Sequence, residues 1–228
     1  MGTVLVRGEE IEELKAKAEA VHVAALNLSN TLGVFHGINN SLEAGPLGGP
    51  EIRAINVIQS DLLHLLVIRV CALCTSAQNR PDDASIEVLM NALREKGIRK
   101  KLIEADERWR ASIGARAQMC ADVRKSIGML KRRWSVISTQ PERLKRLVHF
   151  RNKRLGHVTV SIKPKQEAQL IELWRTARSA LSVARQIRLV FHREDFNYLK
   201  SSAKAEVVGR KLIAAIRPRN KVRRQRRL

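Results

Sequence analysis

The stretch Phe150-Arg151-Asn152-Lys153-Arg154-Leu155-Gly156-His157 places a guanidinium, an amide and an imidazole close together in the chain. Phosphodiester chemistry uses these groups. Arginine offers planar donors to a phosphate whose charge grows in the transition state, and histidine both accepts and donates a proton near neutral pH. On an unbroken helix Arg151 and His157 would stand about 120° apart around the axis. Gly156 removes that obstacle, because a helix that stops at glycine lets the next residue turn back over its last turn. Arg151, Asn152 and His157 are therefore the candidate catalytic groups. Lys153, Arg154, Arg143 and Arg146, on the same segment, are candidate phosphate contacts for the same polyanion. Arg143 with His149 and Arg185 with His192 have a similar spacing, but Leu144 and Gln186 follow those arginines where the first copy has the polar Asn152.

The whole chain is charged to suit a polyanion. Its 228 residues carry 43 Lys and Arg against 22 Asp and Glu, a formal charge of +21, with a pI near 11.0. Such a field concentrates nucleic acid or an anionic membrane around the protein. Aromatics make up 4% of the sequence, too few for a surface of base-stacking platforms, so backbone phosphates are the expected target. Beyond Asp195 the sole acid is Glu206, and the sequence ends in a basic arm in which Arg219, Arg223 and Arg224 are further candidate nucleic-acid contacts. Three cysteines, Cys71, Cys74 and Cys120, make no closed disulfide framework, and no signal peptide precedes them, so a cytoplasmic protein is expected. The apolar stretch from Leu62 to Cys74 falls short of the roughly 20 residues that a bilayer crossing needs, which predicts no membrane partner.

Helices must hold these groups. Ile11, Leu14, Ala18, Val21, Ala25, Leu28 and Leu32 recur at steps of three and four and predict a first helix over Glu9 to Leu32. A turn-rich Glu43 to Pro50 leads to a second, strongly apolar helix to about Ser76, expected to be central and buried on several sides. After Arg80-Pro81, Asp82 or Asp83 is placed to cap a short helix over Ile86 to Leu93, with Gly97 as its stop. Ile98 to Ser138 reads as one long amphipathic helix or two, with Gly114 and Gly128 as soft points. Pro141 and Pro164 open the next two helices, the second reaching about Phe191, and Ala203 to Ile216 can form a terminal one. The predicted fold is all-α, an up-and-down helical bundle with long amphipathic helices and a basic C-terminal arm, divided as a domain over 1–195 and a tail over 196–228.

With the motif late in such a bundle, the chain resembles HEPN domains, particularly those of the abortive-infection type. Their signature is Arg, then Asn, Asp or His, then three to five residues and a His; here it reads Arg151-Asn152, four residues, His157. The resemblance covers roughly Glu9 to Arg193 and implies a metal-independent endoribonuclease, a toxin or antiphage effector. Such an enzyme acts as a homodimer whose two Arg and His pairs share a cleft, with an antitoxin or regulatory partner possible. It implies His157 as the proton-transfer residue, Arg151 as stabiliser of the pentacovalent phosphate and Asn152 as orienter, with no cofactor and no metal. Val158-Thr159 stand where relatives silenced by nucleotidyltransferase antitoxins place a Tyr two residues after the His. The alternative is a non-catalytic, nucleic-acid-binding helical protein in which the same cations only neutralise phosphates.

Other clusters read as structural. Cys71 and Cys74 form a Cys-x-x-Cys pair inside an apolar helix with no second ligand pair, which predicts buried thiols and no zinc. His64 is expected in the core, Asp61 and Arg69 as an internal ion pair, and Trp109, Trp134 and Trp174 as core or dimer contacts.

Overall fold

Apolar side chains spaced for one helical face bury themselves along the first helix, α1 (Leu5–Glu43), where Leu14, Ala18, Val21, Ala25, Leu28 and Leu32 all lie in the core. The computed structural model describes residues 5–43, 47, 49–75, 84–119, 122–154 and 165–216, without the side chains at 5–8, 115, 116, 119, 150, 152–154 and 165–169. These residues form α2 (Pro50–Cys74), α3 (Ile86–Ala92), α4 (Lys96–Ile113), a 3-10 turn (Gly114–Met119), α5 (Val123–Ser138), α6 (Pro141–Arg154), α7 (Lys165–His192) and α8 (Tyr198–Ile216). Among the described residues there is no strand, and the helices pack as a bundle.

Helix α1 is shared by α2, α7 and α8. Arg69 on α2 donates to the Asn27 carbonyl (2.6 Å) and to Thr31 on α1, and Gln59 donates to Asn39 (2.6 Å), so α1 and α2 run antiparallel. Phe35 meets Trp174, and Arg188 meets Glu19, so α7 is antiparallel to α1 as well. Arg133 reaches Ser182, Ile137 lies near Thr176 and Ser179, and Arg146 pairs with Glu172, which lays α5 and α6 end to end along α7. By contrast, α8 runs parallel to α1 from Tyr198, beside His22 and Ser29, to Ile213, beside Ile38.

Close approach between α1 and α8 depends on three glycines. A Cβ at Gly33 would fall 2.1 Å from the Ser202 carbonyl oxygen, one at Gly37 2.1 Å from that of Glu206, and one at Gly209 2.3 Å from that of Val34. Side chains at these sites would hold the backbones apart, so the glycines set the interaxial distance. Tyr198 anchors the start of the seam, buried, with its hydroxyl 2.7 Å from His22 Nδ1. The loop at 193–197 joins α7 to α8, and the predicted start at Ala203 lies inside α8.

Several expectations are corrected. The first helix continues beyond Leu32 to Glu43 because α8 supplies a partner for its second half. α1, not α2, is central: only Ile55 is fully buried in the N-terminal half of α2, where Val57 is 58% exposed. That half extends the apolar run back to Pro50, so by length and composition α2 is apolar enough to cross a membrane, a test that the core helix of a soluble protein also meets. Asp61 and Arg69 do not pair. Eight residues separate them by about 12 Å along the axis, and Arg69 bonds instead to α1 while Asp61 is exposed. Ser85 caps α3, its hydroxyl accepting from Val88 N–H at 3.4 Å; Asp82 and Asp83 lie outside the described residues. Gly97 falls in the first turn of α4 and stops nothing. Of the two soft points, Gly114 breaks the chain with φ +58°, whereas Gly128 sits within α5.

Candidate nucleic-acid interface

Helices α5 and α6 hold eleven Lys and Arg against one acid, Glu142. Each has an apolar face that fixes it to the bundle. Val123, Ile127, Leu130 and Ile137 are buried on α5, and Leu147 on α6 with Leu144 and Val148 beside it. Burial of one face turns the remaining positions of each helix outward, and these carry the cations. On α5, Lys125, Lys131 and Arg132 are exposed, and no salt bridge engages them among the described residues. Arg124 is paired with Glu107 at 3.1 Å, and Arg133 turns inward to Ser182. Sequence reading passed over these three free cations, although the absence of any acid between Val123 and Ser138 was a usable signal.

The predicted contacts on α6 divide into different environments. Arg146 makes two hydrogen bonds to Glu172, at 2.8 and 3.3 Å, and a phosphate must compete with that carboxylate for it. Arg143 is half-buried, and its Nε is enclosed without a hydrogen-bond partner between α5 and α7, near Gln140 and Thr176. Lys145 is exposed and pairs with Glu142 at 2.9 Å. Beside it, the end of α2 and the start of α6 enclose a groove of about 490 Å³ lined by Thr75, Leu144, Val148 and His149.

Arg151 is half-buried, with its own interactions inside the protein. Its charge is felt at Cys71 on α2: burial pushes that thiol up to about 11, and Arg151 pulls the other way. The guanidinium is therefore near the Cys71 end of α2, on which α6 packs. Asn152, Lys153 and Arg154 belong to α6, but their side chains lie outside the described residues, as do His157, Arg219, Arg223 and Arg224 altogether. The arrangement accordingly contains a positioned guanidinium and a cationic face; the distance from Arg151 to His157 is not part of it.

The two other Arg and His pairs have structural positions. Arg185 forms a two-point ion pair with Asp195 at 2.5 Å, and His192 Nε2 lies 3.7 Å from the Glu19 carboxylate. His149 is exposed on the rim of the groove. Cys71 and Cys74 are buried free thiols as predicted, and burial also raises Cys74. Among the described residues no group of three His, Cys, Asp or Glu could hold a metal ion. Trp134 and Trp174 pack against the core, Trp174 stacking on His36 at 4.5 Å, while the Arg193 guanidinium lies over Trp109 at 4.8 Å. His64 is half-buried and engaged within the protein. No family model matches the chain, and comparison with curated proteins and with solved structures gives no match.

Proposed function

We propose that the protein is an endoribonuclease of the HEPN type, which holds RNA on the α5–α6 face and cleaves it at the end of α6. The observation that carries the reading is Arg151: a half-buried guanidinium, near enough to α2 for its charge to be felt at Cys71, on a helix with six Lys and Arg and a single acid. An arginine half-buried in this way is preorganised for a phosphorane, and it spends no binding energy on being ordered by the substrate. His157 takes the proton from the ribose 2′-hydroxyl as its oxygen attacks the neighbouring phosphorus. The 5′-oxygen then leaves with the proton returned by the His157 imidazolium, giving a 2′,3′-cyclic phosphate and a 5′-hydroxyl end and restoring the neutral imidazole. Arg151 offsets the charge on the pentacovalent phosphate, and Asn152 orients one of the pair. The chemistry uses only acid–base and electrostatic groups, so the proposal includes no metal and no cofactor. A homodimer with a composite cleft, a toxin or antiphage role in a prokaryotic cytoplasm, and a regulatory partner belong to the same proposal.

Incubating RNA with purified protein in the presence of a chelator, followed by analysis of the product ends, tests it. Cyclic phosphates from the wild-type protein and none from His157→Ala, with RNA binding retained, are expected. Equal cutting by that variant would refute the assignment of chemistry. Steep, sequence-independent binding without products would favour the alternative, a non-catalytic cationic binder, which the three unpaired cations of α5 also suit.

A further inference from the structure

A second cationic site lies at the opposite end of α7, away from α6. There α1, α4 and the last turn of α7 enclose a cavity of about 450 Å³, the size of a small-molecule pocket. Its floor is apolar, with Leu102 and Phe191 buried beneath it, and Lys15, Arg108, His192 and Arg193 stand in its wall. No carboxylate lines it among the described residues. Cations over an apolar floor fit a ligand with an anionic head and an apolar or planar body.

Arg193 gives the strongest sign that the wall is built for a purpose. It ends α7 with φ +58°, the one non-glycine residue among those described with a left-handed backbone, and its N–H donates to the Leu189 carbonyl at 3.1 Å. Glycine closes a helix in this way without steric cost. What arginine adds here is its side chain. The guanidinium donates through Nε to Asp106 at 3.2 Å and lies over Trp109 at 4.8 Å. Asp106 is itself buried and is held by Arg110 at 2.8 Å and by the Val123 N–H at 3.3 Å. The guanidinium is thus clamped on one edge and one face, as preorganised anion sites require. Backbone strain retained beside a pocket points the same way. His192 next to it has its Nε2 turned to the Glu19 carboxylate at 3.7 Å, so its ring contributes to the wall without supplying a free donor. Lys15 is committed only to an exposed pair with Glu12, an interaction of little worth.

We propose that this cavity binds a small phosphomonoester with an apolar or planar body, its phosphate on Arg193, Arg108 and Lys15 and its body on the Leu102–Phe191 floor. The terminal nucleotide of a 5′-phosphorylated RNA and a free nucleoside monophosphate share this chemistry. The proposal does not depend on Arg151 or His157.

Isothermal titration calorimetry of the full chain with phenyl phosphate, inorganic phosphate and phenol, at about 150 mM salt to screen the general charge, is the test. Phenyl phosphate should bind at least about tenfold more tightly than either fragment. Arg193→Gly should weaken it about tenfold or more; glycine suits the backbone there, but the variant also loses the ion pair to buried Asp106, so circular dichroism at the titration temperature checks that it is folded. Exposed Arg108→Ala should weaken it without touching the fold. Competition by a 5′-phosphorylated RNA hexamer but not by its 5′-hydroxyl counterpart identifies an RNA end as the source, and competition by AMP but by neither hexamer identifies a free nucleotide. Either result supports the site. No binding of phenyl phosphate, binding no tighter than phosphate alone, affinity unchanged in both variants, or equal competition by the two hexamers would overturn it.

Discussion

Replacing Gly37 by alanine tests whether backbone contact between the first and last helices holds the bundle together. The new Cβ would sit 2.1 Å from the Glu206 carbonyl oxygen, and real Cβ contacts essentially never fall under 3.0 Å. Backbone lies on both sides, so no side chain can swing away and the helices must separate by about an ångström, opening the seam at Gly33 and Gly209 too. Overpacking of this kind costs about 1–3 kcal/mol, and backbone against backbone belongs at the upper end. The gain in helix propensity from glycine to alanine returns about 1 kcal/mol. A net loss near 2 kcal/mol lowers the melting temperature of a chain this size by roughly 4–8 °C. Gly128→Ala is the matched control, because its Cβ would meet nothing within 4 Å on α5; propensity alone then acts, and stability rises by about 0.5–1 kcal/mol. Urea or thermal unfolding of both variants gives the answer. A Gly37→Ala protein as stable as wild type would refute the reasoning, since the same substitution must have opposite signs at the two sites.

Acid should destabilise the protein through its histidines. Burial lowers His22 and His36 below the usual 6.5, so the unfolded chain takes up protons first and stability present above that value is lost as pH falls through it; His22→Gln with His36→Gln should flatten the fall between about pH 7 and 5, and an unchanged slope would contradict this. Cys71 and Cys74, buried and with raised pKa values, should resist a thiol reagent at about pH 8 in a Cys120→Ser protein and react only on unfolding; labelling of the folded chain would show the core to be open. Lys125→Gln and Arg132→Gln on the exposed face of α5 should each reduce the dependence of RNA affinity on salt by about 0.7 in log–log slope, while Arg133→Gln, whose side chain is turned to Ser182, should change it less. Equal effects at all three would mean that the face has no preferred side.

Periodicity within a helix was legible where packing is local to its own face. The buried positions of α1 up to Leu32, and Pro141 at the start of α6, follow from spacing and from proline's fixed φ. Contacts between distant segments were not legible. Nothing near Gly33 or Gly37 announces that Ser202 and Glu206 will lie on them, so the second half of α1 has no visible reason to be helical until α8 is present. Gly114 and Gly128 look alike in sequence, and only the first needs a positive φ, because α4 must end there for α5 to lie along α7. Asp61 and Arg69 invited pairing by type, yet the axial rise between them forbids it. In the candidate site, the cationic character of α6 could be read directly, whereas the commitment of Arg146 to Glu172 depends on the packing of α7.

The same packing decides how much of the +21 charge is available to a ligand. Arg188 lies between Glu19 and Glu194, Arg185 is closed on Asp195, and Asp106 ties Arg110 to Arg193. Glu19, Asp106, Glu194 and Asp195 thus gather near the end of α7, where they fix arginines in place. On α5, by contrast, no acid is present at all. A polyanion approaching the protein therefore meets two kinds of cation. Lys125, Lys131 and Arg132 on α5 are exposed and act as point charges screened by salt. Arg151 and Arg193 are partly buried, Arg193 with a partner inside the protein, so under the proposed readings their loss should change which ligand is chosen more than how strongly polyanions adhere in general. Total charge predicts the adhesion, while the partners of individual guanidinium groups predict the selectivity.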